Sequence, residues 1–162
     1  MATEKRSGYD RRADPNAARE IIAFRVDGQE FAIDVINVRE IRVWTPATPI
    51  AQAPHYIVGM INLRGAVLPI VDFAARLGFA RTEPTNRHAI LVAEIRGQSV
   101  GLLVEGVSEI LTITGDMVQP VPDVGSSIAR EFVNGVVAIQ NRMISLTALE
   151  GFASDSSGDL AA

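Results

Sequence analysis

Apolar positions recur along the chain at a period of two, in short runs separated by glycine-bearing turns, which is the pattern of strands and hairpins rather than helices. Glu20 to Val26 alternates imperfectly, Asp27-Gly28 is a type I′ turn signal, and Gln29 to Ile33 returns with Phe31 and Ile33 on one face. After an irregular step at Asp34 to Asn37, Val38, Ile41 and Val43 continue as β structure until Trp44-Thr45-Pro46 and Pro49 interrupt it. Pro54 suits the first position of a helical turn through Tyr56. A central hairpin follows, with strands Gly59 to Leu63 and Ala66 to Ile70 about the turn Arg64-Gly65, where Gly65 can take positive φ. Asp72 predicts the cap of a short helix, Phe73 to Leu77, that Gly78 ends.

The loop from Phe79 to Arg87 is an internal boundary, because the pattern then begins again. Ala89 to Ile95 is a strand, Arg96-Gly97 a turn and Ser99 to Val104 the returning strand. Phe24 to Ile41 laid over Ala93 to Ile110 without a gap matches at Gly28 and Gly97, Gln29 and Gln98, Val35 and Val104, Val38 and Val107, Glu40 and Glu109, and Ile41 and Ile110. The central hairpin also has a counterpart, since Gly135, Ile139, Ile144 and Leu146 stand where Gly59, Leu63, Leu68 and Ile70 stood, with Gln140-Asn141 in place of Arg64-Gly65. A duplicated set of short strands predicts an all-β fold with a few short helices, built as two similar five-stranded β-barrel subdomains of SH3/OB-like type. The halves run roughly over 20–82 and 83–152.

Composition narrows the function classes. In 162 residues, 48% of them hydrophobic, one domain's core can be built. Cysteine is absent, which removes disulfides, thiolate metal sites and cysteine nucleophiles together. No apolar run is long enough to span a bilayer and the first residues hold no signal peptide, so the expected compartment is the cytoplasm, with no direct membrane insertion. A net charge of -4 offers no field to gather nucleic-acid phosphates, so no nucleic acid is expected as a partner. The mixed charges of residues 1–19 and the Ser/Asp/Gly-rich stretch 153–162 predict disordered tails around a folded domain over 20–152.

Catalytic and metal-binding patterns are missing. His55 and His88 have no ligand-like neighbours in sequence, no phosphate loop or nucleophile elbow is present, and Asp72 is accounted for by its cap; no catalytic residue, metal or cofactor is expected. Glu105 and Glu109 are a carboxylate pair on turn-and-strand segments, where such pairs are solvated more often than catalytic. Arg64 is either the solvated end of a hairpin or a binding and orienting group. In both halves the step after the first hairpin reads Val-x-x-Val-x-Glu-Ile, Val35 to Ile41 and Val104 to Ile110. If the two copies face each other they line an apolar groove with charged rims, suited to an amphipathic helix; otherwise Val35, Val38, Val104 and Val107 belong to the core.

Gly59 to Phe73, with its Asn62-Leu63-Arg64-Gly65 turn and Leu68-Pro69-Ile70-Val71-Asp72, read together with Ile33 to Arg42 and Val104 to Ile110, resembles the CheW family of bacterial chemotaxis coupling proteins from about Glu20 to Phe152. The resemblance implies two five-stranded barrels and a non-catalytic adaptor that bridges the cytoplasmic tip of chemoreceptors, the methyl-accepting chemotaxis proteins, to the regulatory domain of the histidine kinase CheA. It places the protein in the cytoplasm, held at membrane-bound receptor arrays through those partners. Carried over by position, it implies a receptor groove of Val38, Glu40, Val107 and Ile110, a coupling role for Arg64, a kinase surface of Ala47, Ile50 and Gly59, and a second kinase contact near Asp123 and Val124. Val124 is smaller than the aromatic residue expected there, and Trp44-Thr45-Pro46 with Pro49 departs from the family's loop. The tails suit a free-standing adaptor rather than a CheV-like fusion. Beside this stand an oligonucleotide-binding barrel, which wants exposed aromatic and basic residues, an unrecognised enzyme, and a CheW-like scaffold for a kinase pathway other than chemotaxis.

Overall fold

The structure, a computed structural model, describes residues 17–122 and 131–152. In chain order its elements are β1 (Ala18–Val26), β2 (Gln29–Asp34), β3 (Val38–Val43), β4 (Ile57–Leu63), β5 (Ala66–Asp72), α1 (Phe73–Arg76), β6 (Ala89–Ile95), β7 (Gln98–Val104), β8 (Gly106–Thr114), β9 (Val118–Gln119), β10 (Val133–Ile139) and β11 (Arg142–Thr147), with 3-10 turns at Val35–Asn37 and Gly115–Met117. Four hairpins turn on residue pairs that both carry positive φ: Asp27-Gly28, Arg64-Gly65, Arg96-Gly97 and Gln140-Asn141. This is type I′ geometry, whose twist matches the strands on either side. Asp72 caps α1 by accepting from the Ala75 N–H at 3.3 Å, and also accepts from the Thr82 N–H at 2.7 Å, so the cap anchors the loop that follows.

The β-rich architecture with short helices is the expected one, but the strands are distributed differently. They form a six-stranded sheet, β8-β1-β2-β11-β10-β9, and a five-stranded sheet, β3-β6-β7-β5-β4. Each sheet therefore takes the first hairpin of one sequence half and the remaining strands of the other. The steps after β2 and β7 carry no hairpin turn, and they send the chain across to the opposite sheet. Among the described residues no hydrogen-bonded ring is closed, because the covalent chain turns the corner instead. β8, at one edge of its sheet, continues through Gly115–Met117 into β9 at the other edge. Three residues of 3-10 helix rise only about 6 Å, against roughly 24 Å across six flat strands, so the sheet must curl until its edges are neighbours. In the five-stranded sheet the chain beyond β3 does the same, with Thr48 bridging Met60 of β4.

The duplication is visible in the registers. Val38 pairs with Ala93, Glu40 with Val92, Ile41 with Leu91 and Val43 with Ala89. Exchanging these positions for their repeat counterparts gives Val107 with Phe24, Glu109 with Ala23, Ile110 with Ile22 and Thr112 with Glu20, and all four pairs occur. A register shift lies at the equivalent place in both ladders, between Val38 and Glu40 and between Ala23 and Phe24. The two bulges are thus one inherited feature used twice.

Apolar side chains fill three clusters. Ile21, Ala23, Ala32, Leu111, Ile113, Val137, Ile144 and Leu146 lie inside the six-stranded sheet, and Leu68, Ile70, Ile90, Val92 and Leu103 inside the five-stranded one. Between them a larger cluster joins Phe24, Val26, Phe31 and Ile33 to Leu91, Val100, Leu102 and Val104, with Phe73, Phe132 and Phe152. The exchanged hairpins β1-β2 and β6-β7 are consequently buried on both faces, which is why they read as near-continuous apolar runs. β1 begins at Ala18, inside the stretch expected to be tail, and Arg19 Nη1 lies 3.3 Å from Asp34 Oδ2. Residues 1–16, the last ten residues and both Asp123 and Val124 lie outside the described residues.

Candidate protein-binding site

β3 and β8 are the edge strands at which the two repeats present their bulges. Val38 and Val107 sit at those bulges, half-buried and packed against the central cluster from equivalent positions. Beyond them alternation carries Ile41 and Val43 outward, 47% and 65% exposed, and on β8 Ile110, 57% exposed. Of the expected groove residues, the two valines therefore share one core, while Ile110 belongs to the outer face of an edge strand. Val104 is core, and Val35 is half-buried as the first residue of the 3-10 turn.

Glu40 is clasped. Arg64 Nη2 donates to its Oε1 at 2.8 Å and Arg42 Nη1 to its Oε2 at 3.0 Å. These bonds, that from Arg64 foremost, hold the carboxyl below the usual carboxylate range despite partial desolvation. β3 and β4 are opposite edges of the five-stranded sheet, so the pair from Glu40 to the hairpin tip spans the seam of the curled sheet. Arg64 itself takes positive φ, a conformation the sequence reading gave only to Gly65, and the Gly65 N–H donates to Asn62 Oδ1 at 2.8 Å. Neither the pairing with Glu40 nor the part played by Arg42 was foreseen; the only sequence signal was that Glu40 and Arg42 share one parity on β3.

The residues assigned to the kinase surface fall into different environments. Ala47 packs against the cluster inside the five-stranded sheet and Ile50 against the central one, both only partly buried. Gly59 is buried, and a Cβ there would lie 2.4 Å from the Thr48 carbonyl oxygen. It can shape that surface only by letting the Ala47-Thr48 backbone cross close above it. The paired carboxylates have separate partners, since Glu105 Oε2 accepts from the Asp27 N–H at 2.8 Å and Glu109 accepts from Arg142. His88 Nδ1 accepts from the Thr85 N–H at 3.0 Å, which places that ring in a loop-ordering role.

A duplicated β scaffold whose bulged edge strands offer exposed apolar side chains beside ion pairs is a class of fold suited to binding other proteins. The chain belongs to the CheW-like domain family, which it matches over residues 20–157, and it is a coupling adaptor of chemotaxis signalling. It is similar to the chemotaxis protein CheW of Rhizobium meliloti (strain 1021), 57% identical over 135 residues that cover 83% of this chain and 87% of that protein. A probable chemotaxis protein CheW of Rhizobium etli is 52% identical over 143 residues, covering 88% and 92%. Among solved structures, the scaffolding protein TtCheW from Thermoanaerobacter tengcongensis superposes with a TM-score of 0.75 at 30% identity, covering 81% of this chain and 89% of that one.

Proposed function

We propose that this chain is a non-catalytic bridge between the cytoplasmic tip of chemoreceptors and the regulatory domain of the histidine kinase CheA, working in the cytoplasm at receptor arrays. The observation that carries the reading is the equivalence of Val38 and Val107, two half-buried valines at matching bulges that rest on a single core. They offer an amphipathic helix apolar contact without a cavity having to open. Ile110 extends that contact outward and Glu40 supplies the charged rim. Arg64, by holding Glu40 across the seam, ties the hairpin tip to the edge that meets the receptor. Ala47 and Ile50, positioned by Gly59, form the kinase-facing surface, with Asp123 and Val124 proposed for a second kinase contact.

Among the described residues little aromatic surface is left for oligonucleotide binding, with only Trp44 and Phe79 partly exposed. Phe24, Phe31, Phe73, Phe132 and Phe152 are all in the core, so among the described residues they cannot stack on bases. The test is a titration of variants against a receptor-tip fragment and, separately, against the kinase regulatory domain. Ile110→Asp, at an exposed position, and Val38→Asp should each weaken receptor binding by about tenfold or more, since a carboxylate would be desolvated against an apolar helix. Kinase binding should persist in both. Normal receptor binding by both variants, with the fold intact by circular dichroism, would remove these residues from the receptor surface.

A further inference from the structure

The six-stranded sheet carries a clasp of its own. Arg142, the first residue of β11, donates to Glu30 Oε1 from Nη2 at 2.7 Å and from Nε at 3.1 Å, while its Nη1 donates to Glu109 Oε2. Glu30 lies on β2 and Glu109 on β8, one step past the bulge that seats Val107. One guanidinium thus fastens an edge strand to the interior of its sheet.

Glu109 is the repeat counterpart of Glu40, but the arginines are not counterparts, because Arg64 aligns with Gln140. The charge ratio also differs. Glu40 is held by two guanidiniums, Arg42 and Arg64, whereas Arg142 alone holds two carboxylates, with Arg25 near Glu30 at 3.9 Å. Loss of Arg64 leaves Glu40 still paired. Loss of Arg142 removes the guanidinium that lies between the half-buried Glu30, which keeps only Arg25 at 3.9 Å, and the exposed Glu109, and the repulsion between the two carboxylates then acts on β8.

We propose that Arg142 is a positioning residue for partner recognition, which by tying Glu109 to Glu30 fixes the β8 bulge, and with it Val107 and Ile110, in the form that receives the receptor helix. This rests on the receptor surface proposed above. A lysine could not replace it, since a point charge cannot bond two carboxylates in two directions as the planar fork does.

The experiment titrates Arg142→Gln, Glu109→Gln and the double variant against a receptor-tip fragment and against the kinase regulatory domain, with thermal midpoints measured and Val38→Asp carried alongside. Arg142→Gln should weaken the receptor fragment about fivefold or more and the kinase domain less than about twofold. Adding Glu109→Gln should restore receptor binding to within about twofold of wild type, because the unopposed charge is gone. Three results overturn the inference while sparing the surface itself: Arg142→Gln binds normally although Val38→Asp does not, both partners are lost in step with the thermal midpoint, or the double variant recovers nothing. Should Val38→Asp bind the receptor normally, the surface is misplaced and the role of Arg142 falls with it.

Discussion

Arg64 holds φ at 53°, a left-handed conformation that costs an ordinary side chain about 1 kcal/mol. An exposed ion pair of the kind it makes with Glu40 contributes about as little. Arg64→Gly should therefore relieve as much as it loses and leave the thermal midpoint within a few degrees. Kinase control in a mixture of receptor fragment, adaptor and kinase should nonetheless fall, and unaltered control would show that Arg64 does no more than end a hairpin. Acid should act on the same clasp. Because the Glu40 carboxyl is held low when folded, the contribution of the pair is present above the ordinary carboxylate range and is lost as pH falls through the lowered value. Glycines at the turns separate backbone cost from space. At Gly28 and Gly97 a Cβ would meet nothing within 4 Å, so valine there should cost only the backbone penalty, about 1 kcal/mol each in thermal unfolding. Gly59→Ala must instead push the Thr48 backbone aside, and should cost about 2 kcal/mol. Equal losses at Gly59 and Gly28 would contradict the close crossing.

Hairpins were the most legible elements, because type I′ turns and alternation are local signals. Asp27-Gly28, Arg64-Gly65 and Arg96-Gly97 lie where the residues placed them. Strand partners were not legible, because nothing in Asp34 to Asn37 or at Glu105 states that the chain crosses to the other sheet. Leu111 to Gln119 was passed over for the same reason, since β9 has only two residues and its pairing with β10 is visible only in three dimensions. At the site, the valines were legible through the repeat. The clasp of Glu109 was not, because its arginine, Arg142, stands opposite Ala66 in the repeat and not opposite Arg64. The exchange of hairpins has a direct consequence. A chain cut within the Phe79 to Arg87 loop should give two fragments that are each unfolded by circular dichroism, since each would lack a hairpin buried on both faces of the other's sheet. Mixed, they should recover the β signal together. Cooperative unfolding by either fragment alone would show that the sheets do not depend on the exchange.

At the scale of the whole molecule, the exchange locks the two repeats into one body, with a shared core beneath both bulges. An adaptor needs that rigidity, because a contact made at one edge can influence a partner at another only through elements that do not slacken in between. Glu40 is met by two guanidiniums, whereas Arg142 and Arg25 together balance Glu30 and Glu109, so two clasps at equivalent glutamates differ in charge. No helix among the described residues is long and apolar enough to cross a membrane. The central claim is that this chain couples receptor to kinase without chemistry of its own. Its most direct test is the autophosphorylation rate of the kinase, measured with receptor fragment present, with and without the chain, and with Ile110→Asp in its place. Receptor control of that rate should appear only when the wild-type chain is added and should be largely lost with Ile110→Asp; a kinase that responds to receptor equally well without the chain would contradict the account.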